Sequence, residues 1–141
     1  MTPNFTILEK VISIILILWA SFWLYGTYLF LTNLFDMARS SSGVYVISYS
    51  KLFNNYSLSI IGNTCTIVGG ILLLFNKKPG WIISLISSLS YCLIFVVAAI
   101  KSASSPKETL AVEFGRIILI ILMLSMFIIL LLQPFRIKYR G

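Results

Sequence analysis

Residues 58–100 read LSIIGNTCTIVGGILLLFNKKPGWIISLISSLSYCLIFVVAAI, two apolar runs separated by Asn76, Lys77, Lys78, Pro79 and Gly80. No charged side chain falls between Lys51 and Lys77, and none between Lys78 and Lys101. About 20 apolar residues cross a bilayer as a helix, and each run exceeds that length. The connection leaves room only for a tight reversal. Pro79 has no amide proton and Gly80 tolerates positive φ, so the first helix is expected to stop there. Lys77 and Lys78 fall where anionic headgroups lie. The stretch predicts a transmembrane helical hairpin.

In a symmetric hairpin centred on Lys78 and Pro79, residues equally far from the turn share a depth. That pairs Gly70 with Ser87, Gly69 with Ser88, Thr66 with Tyr91, and Cys65 with Cys92. Gly62, Thr66, Gly69 and Gly70 form a small-residue stripe at helical spacing. Ser84, Ser87, Ser88 and Tyr91 form another on the facing helix. Small residues let helix backbones approach closely in lipid, where hydrophobicity offers no drive for association. Close packing is therefore expected through Gly69, Gly70, Ser84, Ser87 and Ser88. The alternative use of these side chains is a polar lining for a small ligand or ion. The two cysteines are expected to stay free, as small buried hydrophobes, and without histidine they make no metal site.

The 141 residues are 59% hydrophobic and 11% charged, far from the roughly 25% charge of a soluble domain. One integral membrane domain is expected: an all-α, four-transmembrane-helix bundle with helices 2 and 3 as a tight central hairpin. The expected spans are about 8–35, 56–76, 80–101 and 112–133, with outer loops 36–55 and 102–111 and an inner turn at 77–79. The net charge of +7 lies mainly at helix ends. Topology and lipid headgroups account for it, and nucleic acid is not expected as a partner.

Thr6 and Glu9 have capping-box spacing, and no charge then falls from Val11 to Phe35. That run exceeds the apolar core of a signal peptide, so a retained first span is expected. Trp19 and Trp23 lie deeper in it than an interfacial belt would place them. Four apart on one face, they either fill a gap in the bundle or meet a partner protein. The polar stretch 33–57 is expected to be a solvated connection, with a turn over residues 39–43. Residues 44–49 read as extended or as an early start of the next helix. Ser105, Pro106 and Glu108 signal the start of the last helix. Its uncharged part runs from Ile117 to Phe135, and it should end near Gln133 and Pro134. Glu113 and Arg116 fall near its passage into the membrane. They can pair along the helix face, Arg116 can snorkel to headgroups, and a role in gating or partner binding is the alternative.

Four spans put both termini on one side. The short segments 1–10, 76–80 and 134–141 carry Lys10, Lys77, Lys78, Arg136, Lys138 and Arg140, with Glu9 as their one acid. The longer segments 33–57 and 101–116 carry Arg39, Lys51, Lys101, Lys107 and Arg116, offset by Asp36, Glu108 and Glu113. Positive charge concentrates on the first set, so both termini are expected in the cytoplasm. The expected location is the bacterial inner membrane, multi-pass.

No histidine occurs, and the acids Glu9, Asp36, Glu108 and Glu113 all sit at helix ends or in loops. Ion-coupled transporters usually carry an ionisable group near the midplane, and none is found there. No paired carboxylates, phosphate-binding glycine loop or CxxC is present, so no cofactor and no enzymatic activity are expected. Asn63, with Thr64 and Thr66, is the most polar group inside a span. The short four-span architecture resembles small multidrug transporters and immunity proteins against pore-forming toxins. The former keep an acid within their first span, whereas Glu9 stands at its extreme start beside Lys10. The leading expectation is a non-enzymatic protein that binds another membrane protein or itself, with membrane lipids around it. Trp19, Trp23, Asn63, Glu113 and Arg116 are its candidate contacts. A small transporter or channel lined by Asn63, Thr66, Ser84 and Ser88 comes second, and a membrane immunity protein third.

Overall fold

The computed structural model describes residues 3–40, 49–103, 110–132 and 138. They form four helices: α1 (Pro3–Ser40), α2 (Tyr49–Leu74), α3 (Lys78–Ala103) and α4 (Leu110–Leu131). Each contains a segment long and apolar enough to cross a membrane. The helices pack in chain order, α1 on α2, α2 on α3 and α3 on α4, with a slight meeting of α1 and α3. A slim core joins Ile12 and Leu16 of α1, Leu73 of α2, Cys92 and Phe95 of α3, and Met123, Met126 and Leu130 of α4. Most other apolar side chains are exposed on every helix, Leu58 to 79%. Water would not tolerate so much exposed apolar surface, but lipid does. The chain is a multi-pass helical membrane protein.

Exposed hydroxyls agree with that solvent. Thr27, Thr64, Ser90 and Ser125 each donate to the carbonyl one turn back on their own helix. A hydroxyl facing hydrocarbon has no water to bond, so it must be satisfied within its own segment.

The turn between α2 and α3 has a defined backbone geometry. Asn76 takes positive φ, 57°. Its N–H bonds the Leu73 carbonyl at 2.9 Å, and the Lys77 N–H bonds the Leu72 carbonyl at 2.9 Å. These are the two bonds of a Schellman cap, with asparagine in the left-handed position that glycine usually fills. Pro79 falls in the first turn of α3, where no N–H is needed. Gly80, expected to supply the positive φ, is helical and serves a different purpose. A Cβ there would overlap Leu73 N and stand 2.5 Å from the Leu72 carbonyl carbon. Only a glycine lets the first turn of α3 lie on the last turn of α2.

Because Asn76 ends α2, the hairpin centres near Asn76 and Lys77, about half a turn earlier than the sequence suggested. Thr66 accordingly meets Ser87 and Asn63 meets Tyr91, while a Cβ on Gly69 would stand 2.9 Å from Ile83 Cβ. Gly70 turns the other way, onto α1, where its Cβ would meet Ile17 Cγ1 at 2.7 Å and the Ser13 carbonyl at 3.2 Å. Cys65 is exposed and Cys92 buried, both free.

Polar side chains also tie the same end of the bundle together. Glu9, 1% exposed, forms a 2.7 Å ion pair with Lys138, whose ammonium also donates to Asn76 Oδ1. Trp81 donates its indole N–H to the Leu130 carbonyl at 2.8 Å. That carbonyl lies in the last turn of α4, where helix carbonyls lack an intrahelical N–H, and Trp81 supplies one.

The spacing of these contacts along α1 can be compared with the thickness of a bilayer. Glu9, Asn76 and Lys138 meet at one end of the bundle. The tilted rings of Phe30 and Tyr56, centres 5.4 Å apart, meet toward the other end. From residue 9 to residue 30 an α-helix rises roughly 31 Å, close to the roughly 30 Å of bilayer hydrocarbon. Residues 31–40 therefore extend α1 by about 15 Å beyond that level. The polar stretch expected to be a loop from residue 36 to 55 is thus helical through Ser40 and again from Tyr49. Met37, Ala38 and Arg39 are good helix formers, and polarity there reflects departure from the membrane rather than the end of a helix. The remainder of the turn expected at 39–43, residues 44–48 and the cap at Ser105 lie outside the described residues, as do Gln133 and Pro134.

Gly80→Ala is expected to destabilise the bundle by roughly 1–3 kcal/mol, since the clash is with backbone and cannot be relieved by a rotamer change. Gly26→Ala, whose Cβ would meet nothing within 4 Å, is expected to be neutral or mildly stabilising. Unfolding in mixed detergent micelles compares the two.

Candidate functional site

The shifted hairpin register places a polar rung system at mid-span. Asn63 lies on α2 with its amide donating to the Ser59 carbonyl at 2.8 Å and to Ser59 Oγ at 3.3 Å. Its Oδ1 accepts from the Tyr91 hydroxyl across on α3. One turn nearer the hairpin turn, Thr66 Oγ1 lies 2.9 Å from both the Gly62 carbonyl and Ser87 Oγ. A hydroxyl carries one proton, so when Thr66 donates to the carbonyl, Ser87 donates to Thr66. Two side-chain rungs thereby join α2 to α3 within the apolar slab.

Beside these rungs lies a half-open cavity of about 760 Å³, extending along α3 from Ile83 to Ala98 and along α2 from Thr66 to Leu58. Gly62 forms part of its wall, and a Cβ added there would meet nothing within 4 Å. Trp23 of α1 and Arg116 of α4 complete the lining. Arg116 also borders a second cavity of about 160 Å³ with Glu113, Ala99, Ser102 and Ile117. Among the described residues, no group of three or more histidine, cysteine, aspartate or glutamate side chains could hold a metal ion.

The candidate residues therefore divide. Asn63, Thr66, Ser87, Tyr91 and Gly62 gather at the large cavity, and Trp23 and Arg116 join them from other helices. Glu113 reaches only the small one. Ser84 and Ser88 are fully buried, and neither lines the large cavity, contrary to the lining expected for a channel. Ser88 donates within its own helix, to Ser84 and Leu85 carbonyls, while Ser84 Oγ has no partner among the described residues. Trp19 packs edge-on against Phe95, ring centres 5.9 Å apart, and joins the core. Its neighbour Trp23, 6.1 Å away, faces the cavity instead. Sequence reasoning passed over Ser59 and Ser90, which also line it. Their spacing from Asn63 (i−4) and Ser87 (i+3) was the available signal.

The chain matches no protein-family model, no curated protein and no solved structure.

Tyr91→Phe leaves the Asn63 carbonyl oxygen without its partner across the interface. A double-mutant cycle with Asn63→Leu, read by unfolding in micelles, is expected to give a coupling of about 0.6 kcal/mol and no more than about 1.7, the average and upper limit for helix–helix hydrogen bonds in membranes. A cycle that closes at zero removes the rung from the account of stability.

Proposed function

We propose that this chain is a non-enzymatic membrane protein acting by association within the bilayer, as an accessory subunit of a membrane complex or as an oligomer of itself. The observation that supports this most is the lopsided attachment of α4. Its principal neighbour is α3, and Ile117, Ile118, Ile121, Leu124 and Ile128 remain exposed along it. A helix held on one side offers a long, smooth surface to another helix. Phe22, Tyr25 and Tyr28 of α1 are also exposed, and they add aromatic area to a second face. The proposed setting is a bacterial inner membrane, with α2 and α3 acting as one tight hairpin and both termini in the cytoplasm, where the lysine-rich turn would lie.

Transport is the second reading, and the 760 Å³ cavity favours it. It ranks lower because Asn63, Thr66, Ser87 and Tyr91 already bond one another or their own helix. A polar solute passing there would find its hydrogen-bonding sites taken.

Gentle purification of the tagged chain from its host, with native gels and mass spectrometry, tests the leading proposal. A stoichiometric membrane partner or a defined oligomer is the expected result, and a toxin as partner would make the chain an immunity protein. A monomer whose liposomes conduct solute, with flux lost on Asn63→Leu, would replace association with transport. Labelling of a cysteine at Ser41 from the cytoplasmic side would overturn the orientation.

A further inference from the structure

Helix α4 is held unevenly along its length. Met123, Met126 and Leu130 in its second half are buried in the core. Polar bonds pin the same end twice. Trp81 of α3 donates to the Leu130 carbonyl at 2.8 Å, and Lys138, beyond the helix, pairs with Glu9 of α1 at 2.7 Å. In the first half, Val112, Phe114, Ile117, Ile118, Ile121 and Leu122 are exposed. A Cβ on Gly115 would meet nothing within 4 Å. The span in α4 is the least buried of the four.

α3 and α4 also part toward the first half. Ala99 and Ser102 of α3, with Glu113, Arg116 and Ile117 of α4, border a void of about 160 Å³. Arg116 borders the 760 Å³ cavity as well, so this stretch of α4 adjoins both spaces. A gap between helices forfeits the dispersion contacts that close packing supplies. Beside the void, Ser102 is buried and its hydroxyl has no partner among the described residues. A buried hydroxyl left unbonded costs free energy. Glu113, whose carboxylate accepts hydrogen bonds, borders the same void from α4.

We propose that α4 is a lever, fixed at its carboxyl-terminal end, whose first half closes on α3, fills the void and lets Ser102 donate to Glu113. In this structure the lever is open. Its swing also changes the width of the larger cavity where Arg116 lines it. Residues 104–109 join α3 to α4, and six residues reach up to about 20 Å when extended, slack enough for a few ångströms of travel. Arg116 is already engaged within the protein, and the swing requires no new bond from it. Association through α4 would depend on the lever's position, but the lever stands whether or not a partner co-purifies.

The test uses the full chain in lipid nanodiscs, with Cys65→Ser and Cys92→Ser, and reads distance distributions between pairs of spin labels. Lys101→Cys with Val112→Cys reports the swinging end, and Ile82→Cys with Leu131→Cys the fixed end. All four side chains are exposed. Two distance populations are expected at the first pair and a single narrow one at the second. Ser102→Ala is expected to lower the closed-to-open ratio about tenfold, the scale of one hydrogen bond to a charged acceptor. It should leave the fixed end unchanged. Ala99→Phe, which builds into the void, is expected to leave only the longer distance. A single narrow population at both pairs would overturn the proposal. So would a ratio that neither Ser102→Ala nor Ala99→Phe alters.

Discussion

The fold depends on the approach of two backbones at the α2–α3 turn. Gly80 allows the first turn of α3 to rest on Leu72 and Leu73, and the cap at Asn76 fixes where α2 stops. Together they set the register of every later contact between these helices. A shift of one residue would rotate each helix by about 100°, and the rungs at Thr66–Ser87 and Asn63–Tyr91 would miss. Near the turn the close approach continues at Gly69 and Ile83. Farther away, small side chains at Gly62, Ser59, Ser90 and Ala98 line space instead of filling it. The same preference for small residues thus yields contact at one end of the hairpin and a groove toward the other.

Lipid imposes the second constraint, that polar groups find partners inside the protein. The bundle does this at three scales. Isolated hydroxyls return to their own helix. Asn63 and Tyr91 bond across a helix pair. Glu9, Lys138 and Asn76 join three separate parts of the chain at one end of the bundle. A buried ion pair is weak evidence for stability, because desolvation offsets much of its attraction. Its evident effect here is positional, since it holds residue 138 against the start of α1 and the hairpin turn. Trp19 Nε1 and the Ser84 and Ser102 hydroxyls are the exceptions, buried without partners among the described residues.

Much of the fold was legible because bilayer thickness converts directly into a run of uncharged residues. Four such runs stand out in the sequence, and four helices of sufficient length and hydropathy carry them. The details that escaped depend on which residue performs a given role. The proline–glycine pair drew attention as the helix terminator, yet asparagine also populates the left-handed region, and Asn76 stands before the pair. That choice displaced the centre of the hairpin and with it the expected pairings. Gly69 and Gly70 look alike in sequence, but consecutive helical residues point about 100° apart, so one meets α3 and the other α1. Residues 33–40 are polar and were expected to be a loop, because composition reports the solvent a segment meets rather than its conformation. The pairing of Glu9 with Lys138, 129 positions apart, left no local trace.

The candidate site shows why polar residues in a span are poor guides to a ligand when taken singly. At the level of sequence, helix–helix bonding was the leading account of Asn63 and Thr66, and contact with a ligand or ion the alternative. Their partners make the difference. A side chain that spends its donors and acceptors on the neighbouring helix specifies the structure, and only what remains can specify a ligand. At this groove the middle is spoken for by Tyr91, Ser87 and Ser59. Most of what lines the rest of the space is apolar, Leu58, Ile83, Ile86, Ile94 and Phe95 among it.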